Sequence, residues 1–185
     1  MGEIEDAIER ADREAFTRQP PKTLKGRINY LLKQLGSAKA VAAELGVTAD
    51  SVNRYRRGAR KHARPDVAAK IDDAVRQRWQ PQVRKRRQKQ AAASGGITVE
   101  TRARFGYSAA VGTTDDGRFR RLTVHLPPAY AQRLFDARNT GATDQEMRGI
   151  IAEGFKDIYF QDGGSRATGL SDVTLNNIDY LDLDY

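Results

Sequence analysis

Apolar residues recur at helical spacing through the first half of the chain and alternate through much of the second. Ile4, Ile8, Ala11, Ala15 and Phe16 predict a short amphipathic helix over 3–16, which Pro20 and Pro21 break. Leu24, Ile28, Leu31, Leu32 and Leu35 form one stripe of a helix that ends at Gly36. Ser37 can cap a helix running to Leu45, and another follows Thr48 to near Arg57. A further helix runs from Pro65 to Trp79 with Val67, Ile71, Ala74 and Val75 inward, Pro65 suiting its first turn. Pro81 then interrupts or kinks the chain. Residues 84–96, RKRRQKQAAASGG, read as a basic helix extension followed by a flexible linker of small residues.

Beyond that point the period changes to two. ITVETRARFGYSA and RFRRLTVHLP alternate as two strands, and GTTDDG between them reads as a hairpin tip, since Asp and Gly suit turn angles. Pro127 and Pro128 end the second strand. Ala131, Leu134, Phe135 and Arg138 predict a helix to near Gly141. Asp144 to Tyr159 predicts another, with Met147, Ile150, Ile151, Phe155 and Ile158 inward. The tail VTLNNIDYLDLDY alternates in part and predicts a late strand. The expected class is α+β. Its expected layout is an amphipathic helix over 1–19, a helix-turn-helix domain over 22–80, a basic extension and linker over 81–96, and an α+β domain over 97–185 with the hairpin tip at 111–117.

AKAVAAELGVTADSVNRYRR, residues 38–57, has the spacing of a helix-turn-helix. Ala42 is small where two helices cross, and Gly46 stands where the turn needs positive φ. Val41, Leu45, Val47, Val52 and Tyr55 would share a core, and Thr48 would cap the second helix. That helix would direct Ala49, Asp50, Asn53 and Arg54 at base edges, Asn53 suiting adenine and Arg54 guanine. Arg56, Arg57, Arg60 and Lys61 would meet phosphates. The same spacing also fits an ordinary three-helix core with a glycine turn.

Charge favours the DNA reading. The net charge is +8, and from Arg54 to Lys89 there are 14 Arg or Lys against three acids. Residues 1–16 carry six acids against two arginines, and 170–185 carry four Asp and no base. Arg84, Lys85, Arg86, Arg87 and Lys89 then read as a phosphate-tracking arm, the alternative being a solvated linker.

Other chemistry is poorly supported. There is no cysteine, which removes disulfides, and His62 and His125 are too far apart in sequence for zinc spacing. No apolar run has the length of a membrane span and the acidic N-terminus is no signal peptide, so a cytoplasmic protein is expected. No nucleophile elbow, phosphate loop or dinucleotide fingerprint occurs. Asp115 and Asp116 can be read as metal ligands or as turn residues. Residues 118–159 also follow the order of a ribbon-helix-helix unit, with Arg121, Thr123 and His125 outward and Leu122, Val124 and Leu126 inward. That reading would make the chain a homo-oligomer, and the competing one is a strand-helix-helix core.

Several segments together resemble the telomere terminal proteins of linear Streptomyces chromosomes and plasmids: AFTR, YLLKQL, RPDVAAKID, RWQPQVRKR, GGITVETRARFGY, VGTTDDGR, LTVHLPPAYAQRLFDA and AEGFKDIYFQDGG. The resemblance implies a protein covalently attached to 5′ DNA ends, at the nucleoid, that primes the filling of terminal gaps. It implies three partners: telomeric DNA as a single-stranded 3′ overhang or folded end, a telomere-associated recruitment protein, and a DNA polymerase. Mg2+ and dNTP would come through the polymerase, so the chain would have no cofactor of its own and would not itself be an enzyme. Carried over on the matching GTTDDG, the primer hydroxyl is Thr114, with Thr113 the alternative, and Asp115 and Asp116 would face the polymerase or its metals. A helix-turn-helix transcriptional or partition regulator is the competing expectation.

Overall fold

The computed structural model describes residues 2–109, 118–167 and 169–185. The chain is α+β and divides into two units, Phe16–Gln82 and a second made of Met1–Ala15 with Val83–Tyr185.

The first unit is helical: α2 (Leu24–Leu35), α3 (Ala38–Leu45), α4 (Ala49–Arg57) and α5 (Pro65–Arg78). Its core is Ile28, Leu31, Val41, Leu45, Val52, Tyr55, Val67, Ile71 and Val75, one apolar stripe from each helix. Each of the first three helices has a hydroxyl cap, Thr23, Ser37 and Thr48, which accepts from an orphan N–H of the first turn. The unit's ends are tied by Trp79, whose Nε1 donates to the Arg18 carbonyl at 3.0 Å and whose ring centroid lies 4.9 Å from that of Tyr30.

The second unit contains α1 (Glu3–Glu14), most of α6 (Pro81–Gln90), β1 (Ile97–Ala109), β2 (Arg118–Leu126), α7 (Pro128–Asn139), α8 (Asp144–Phe155) and β3 (Leu170–Asp184). The sheet order is β2-β1-β3, antiparallel throughout, so the late strand lies beside the first. Alternation places Ile97, Val99, Ala103, Phe105, Leu122, Val124, Leu126, Val173, Leu175, Leu181 and Leu183 on one buried face. Helices α1, α7 and α8 cover that face with Ile4, Ile8, Leu134, Phe135, Met147, Ile151 and Phe155. Between Arg102 and Arg104, β1 advances two residues while β3 advances four, from Tyr180 to Asn176. An even insertion keeps the inward set of β3 inward, because the side-chain period is two.

Two expectations change. The basic part of 84–96 is helical as expected, within α6, but the small residues after it are no flexible linker: Ala91–Gly95 form a π-helical turn whose Ala91 is buried. Pro81 follows the expected break, α5 ending at Arg78, and opens α6, as its fixed φ and missing N–H allow at a first turn. The helix expected to reach Tyr159 ends at Phe155 and passes into a π-helical turn, Lys156–Phe160. The upstream strand β1 takes one edge of β2, so among the described residues β2 is an edge strand of the sheet and a ribbon-helix-helix pairing could use only its other edge.

An ionic cluster anchors α1. Arg84 donates twice to Glu9, at 2.7 and 3.2 Å, and Arg138 reaches Glu5 at 2.8 Å, Glu9 at 3.0 Å and Asp12 at 3.4 Å. Glu9, Asp12 and Arg84 are all buried. Burial opposes charge on Arg138, yet Glu5, Asp12 and Glu9 hold its pKa above the usual value. Tyr185 donates to Asp12 at 2.7 Å, and burial followed by that carboxylate pushes its phenol up. The acidic N-terminal segment is thus a partner for basic groups of its own unit.

Candidate nucleic-acid interface

The turn between α3 and α4 is built as its residues require. Gly46 has φ 65°, a left-handed conformation that costs a side chain, and its N–H bonds the Ala43 carbonyl. Val47 N–H reaches the Ala42 carbonyl at 3.0 Å. Thr48 Oγ1 accepts from Ser51 N–H at 3.2 Å and starts α4. Val52 and Tyr55 are buried, so the rest of α4 faces outward.

Ala49, Asp50 and Arg54 are exposed on one side of α4, and Asn53 beside them is half-buried. Arg54 Nε lies 2.8 Å from Asp50 Oδ2, one helical turn away. An exposed pair of this spacing is worth about 0.3–0.5 kcal/mol, so it orients the guanidinium without withholding it from a base. Arg56, Arg57, Arg60 and Lys61 are exposed at and beyond the C-terminal turn, where the helix dipole favours cations. Arg57 Nε donates weakly to the Asn53 carbonyl at 3.4 Å. Two exposed lysines, Lys39 on the first turn of α3 and Lys70 on α5, were not among the residues expected to bind DNA. Lys70 Nζ stands 3.3 Å from where a Cβ on Gly46 would be. The signal for Lys39 was its place on the first turn of the leading helix; Lys70 had none, since only folding brings α5 to the turn.

The basic run on α6 divides. Lys85, Arg86 and Lys89 are exposed. Arg87 is half-buried, 3.5 Å from Asp184 and over the Tyr185 ring. Arg84 departs from the expected phosphate contact: it is 8% exposed and held by Glu9, so it does not offer its charge to phosphate. The chain's own carboxylate accepts two hydrogen bonds from the guanidinium where a DNA phosphate was expected.

Thr113, Thr114, Asp115 and Asp116 lie outside the described residues, in the connection between the paired strands β1 and β2. Among the described residues no group of His, Cys, Asp or Glu is arranged to hold a metal ion, and no helix is long and apolar enough to cross a membrane. His125 is exposed, with Nδ1 3.1 Å from Thr98 Oγ1. Comparisons with protein-family models, curated proteins and solved structures return no match for this chain.

Proposed function

We propose that this chain is a DNA-binding terminal protein, covalently attached to the 5′ ends of linear replicons and acting as the primer for end-filling DNA synthesis. A helix-turn-helix domain would bring it to DNA through α4, and an α+β domain would present the primer hydroxyl. The observation that carries the reading is the β1–β2 ribbon, paired from Ile97 with Leu126 to Phe105 with Arg118. It makes 110–117 the link between two adjacent antiparallel strands, of which β1 also pairs with β3 as far as Ala109, and in this reading that link offers a side chain to another protein's active site. The segment resemblance, GTTDDG above all, supports the same assignment.

In the reaction, Thr114 Oγ attacks the α-phosphorus of a dNTP. The Oγ–P bond forms, the bond between that phosphorus and the bridging oxygen breaks, and pyrophosphate leaves. The hydroxyl proton passes to a base or water of the polymerase site. A neutral hydroxyl is a weak nucleophile, so activation belongs to the polymerase and its metal ions. Asp115 and Asp116 would meet the polymerase or its metals, and a telomere-associated protein would deliver the chain to a single-stranded or folded end. The chain would work at the nucleoid, in the cytoplasm.

The test is intact mass after incubation with cell extract, Mg2+, telomeric template, recruitment partner and each dNTP, followed by peptide mapping. One nucleotide added within 111–117, retained in Thr114→Ser and lost in Thr114→Ala, is the expected result. An active Thr114→Ala moves the site to Thr113. No adduct at all favours a DNA-binding regulator, the reading that α4 and its arginines support by themselves.

A further inference from the structure

Within this unit and among the described residues, α1, α7 and α8 pack on one face of the sheet, and the side chains of the other face are exposed or half-buried, with Arg10 of α1 and Arg87 of α6 reaching its Asp182 and Asp184. The strand register arranges that face in rows. Thr98 lies between His125 and Asp184, and Glu100 between Thr123 and Asp182. Arg102 lies between Arg121 and Tyr180, and Arg104 between Phe119 and Asn176. Charge is therefore graded along the strands. Carboxylates gather toward the Ile97 end, and arginines with two aromatic rings gather toward the β1–β2 connection.

Phe119 is 51% exposed, the one large apolar side chain so exposed among the described residues. Arg102 Cζ lies 5.9 Å from its ring centroid, and Arg121 Cζ lies 5.9 Å from that of Tyr180, reaching across β1. Arg102 pairs with Asp179 at 3.1 Å and Arg121 with Glu100 at 2.7 Å. The Arg121 guanidinium, then the Tyr180 hydroxyl, hold the Glu100 carboxyl below its ordinary range. These pairs are exposed, and exposed pairs contribute little, so phosphates can replace the carboxylates.

We propose that this open face binds single-stranded DNA, bases stacking on Phe119 and Tyr180 while Arg102, Arg104 and Arg121 meet the phosphates. An exposed ring among guanidiniums on a solvent-facing sheet has the two components such strands need, a π-face and a cationic track. Duplex is a poor fit, because its bases are already stacked. The choice of DNA over RNA rests on the function proposed above.

The experiment is fluorescence anisotropy of the full chain with a labelled oligothymidylate, with excess unlabelled duplex present to occupy the α4 face. Phe119→Ala should weaken binding on the order of ten-fold and Phe119→Tyr should restore it. Arg121→Ala should weaken binding and reduce its salt dependence. Glu100→Gln should tighten binding, because it frees Arg121 while still accepting from Tyr180; a purely structural Glu100 would give the opposite sign. Duplex affinity, measured separately, should not move in any of the four. Unchanged binding in Phe119→Ala, complete competition by duplex, absence of binding by the unaltered chain, or tighter binding of oligouridylate would each overturn the proposal. The nucleotide-adduct assay decides the priming reaction separately, so either can fail alone.

Discussion

Replacing Arg84 by methionine keeps the bulk of the side chain and removes a buried guanidinium. Glu9, 4% exposed, then loses two hydrogen bonds and keeps that from Arg138 at 3.0 Å. Asp12, fully buried, loses the Arg84 guanidinium at 3.7 Å but keeps Arg138, Gln88 and Tyr185. Breaking one partner of a buried pair costs about 3–5 kcal/mol, and the retained donors place this case near 3 kcal/mol. In a domain of this size that lowers the unfolding midpoint by roughly 10 °C. The Arg84→Met, Glu9→Met double variant should recover most of the loss, since apolar replacement of a buried pair is often neutral. Thermal unfolding by circular dichroism gives the magnitude, and hydrogen exchange should show weaker protection in α1. Because Arg84 faces Glu9, the salt dependence of DNA binding should stay as it was. An Arg84→Met protein of unchanged stability, with DNA affinity less sensitive to salt, would refute the buried pairing.

Neutralising Lys85, Arg86 and Lys89 together should flatten that salt slope by about 0.9 for each duplex phosphate no longer neutralised. Arg54→Ala should relax sequence preference in a competition assay, whereas a uniform loss on every sequence would put the guanidinium on phosphate. Thr48→Ala should cost about 1 kcal/mol in urea unfolding followed by Trp79 fluorescence, with Thr48→Ser close to unchanged. Glu146 bonds the backbone N–H and the hydroxyl of Thr143, which holds its carboxyl below the usual range. Its stabilisation is present above the unfolded value of about 4.3 and fades as pH falls through the lower folded one, so Glu146→Ala should flatten the acid limb of a stability–pH curve.

Much of the local structure was legible because its signals are local. The Ser37 and Thr48 caps, the left-handed Gly36 and Gly46, and the apolar stripes of α2 to α5 each depend on residues within a few positions of one another. The outward set on α4 followed from the same periodicity, once Val52 and Tyr55 were assigned inward. The Ala-Ala-Ala-Ser-Gly run misled because small residues suit both a solvated linker and a close approach between elements. Only α7, packed on the Ala91–Gly95 turn, selects the second.

Arg84 shows the same limit for the site. Nothing in RKRRQKQ distinguishes its first arginine from the others, and the partner that does so, Glu9, is 75 residues away. The sequence by itself determined most of the helices and strands, most of the residues each would bury, and that positive charge gathers in one block. Tertiary structure alone decided that β3 returns to lie beside β1, that acidic α1 neutralises Arg84 and Arg138, and that arginines from β1 and β2 share an open face with Phe119 and Tyr180. Those outcomes depend on pairings between distant segments, where the energy lies in burial and in charges brought together, and no local spacing encodes either.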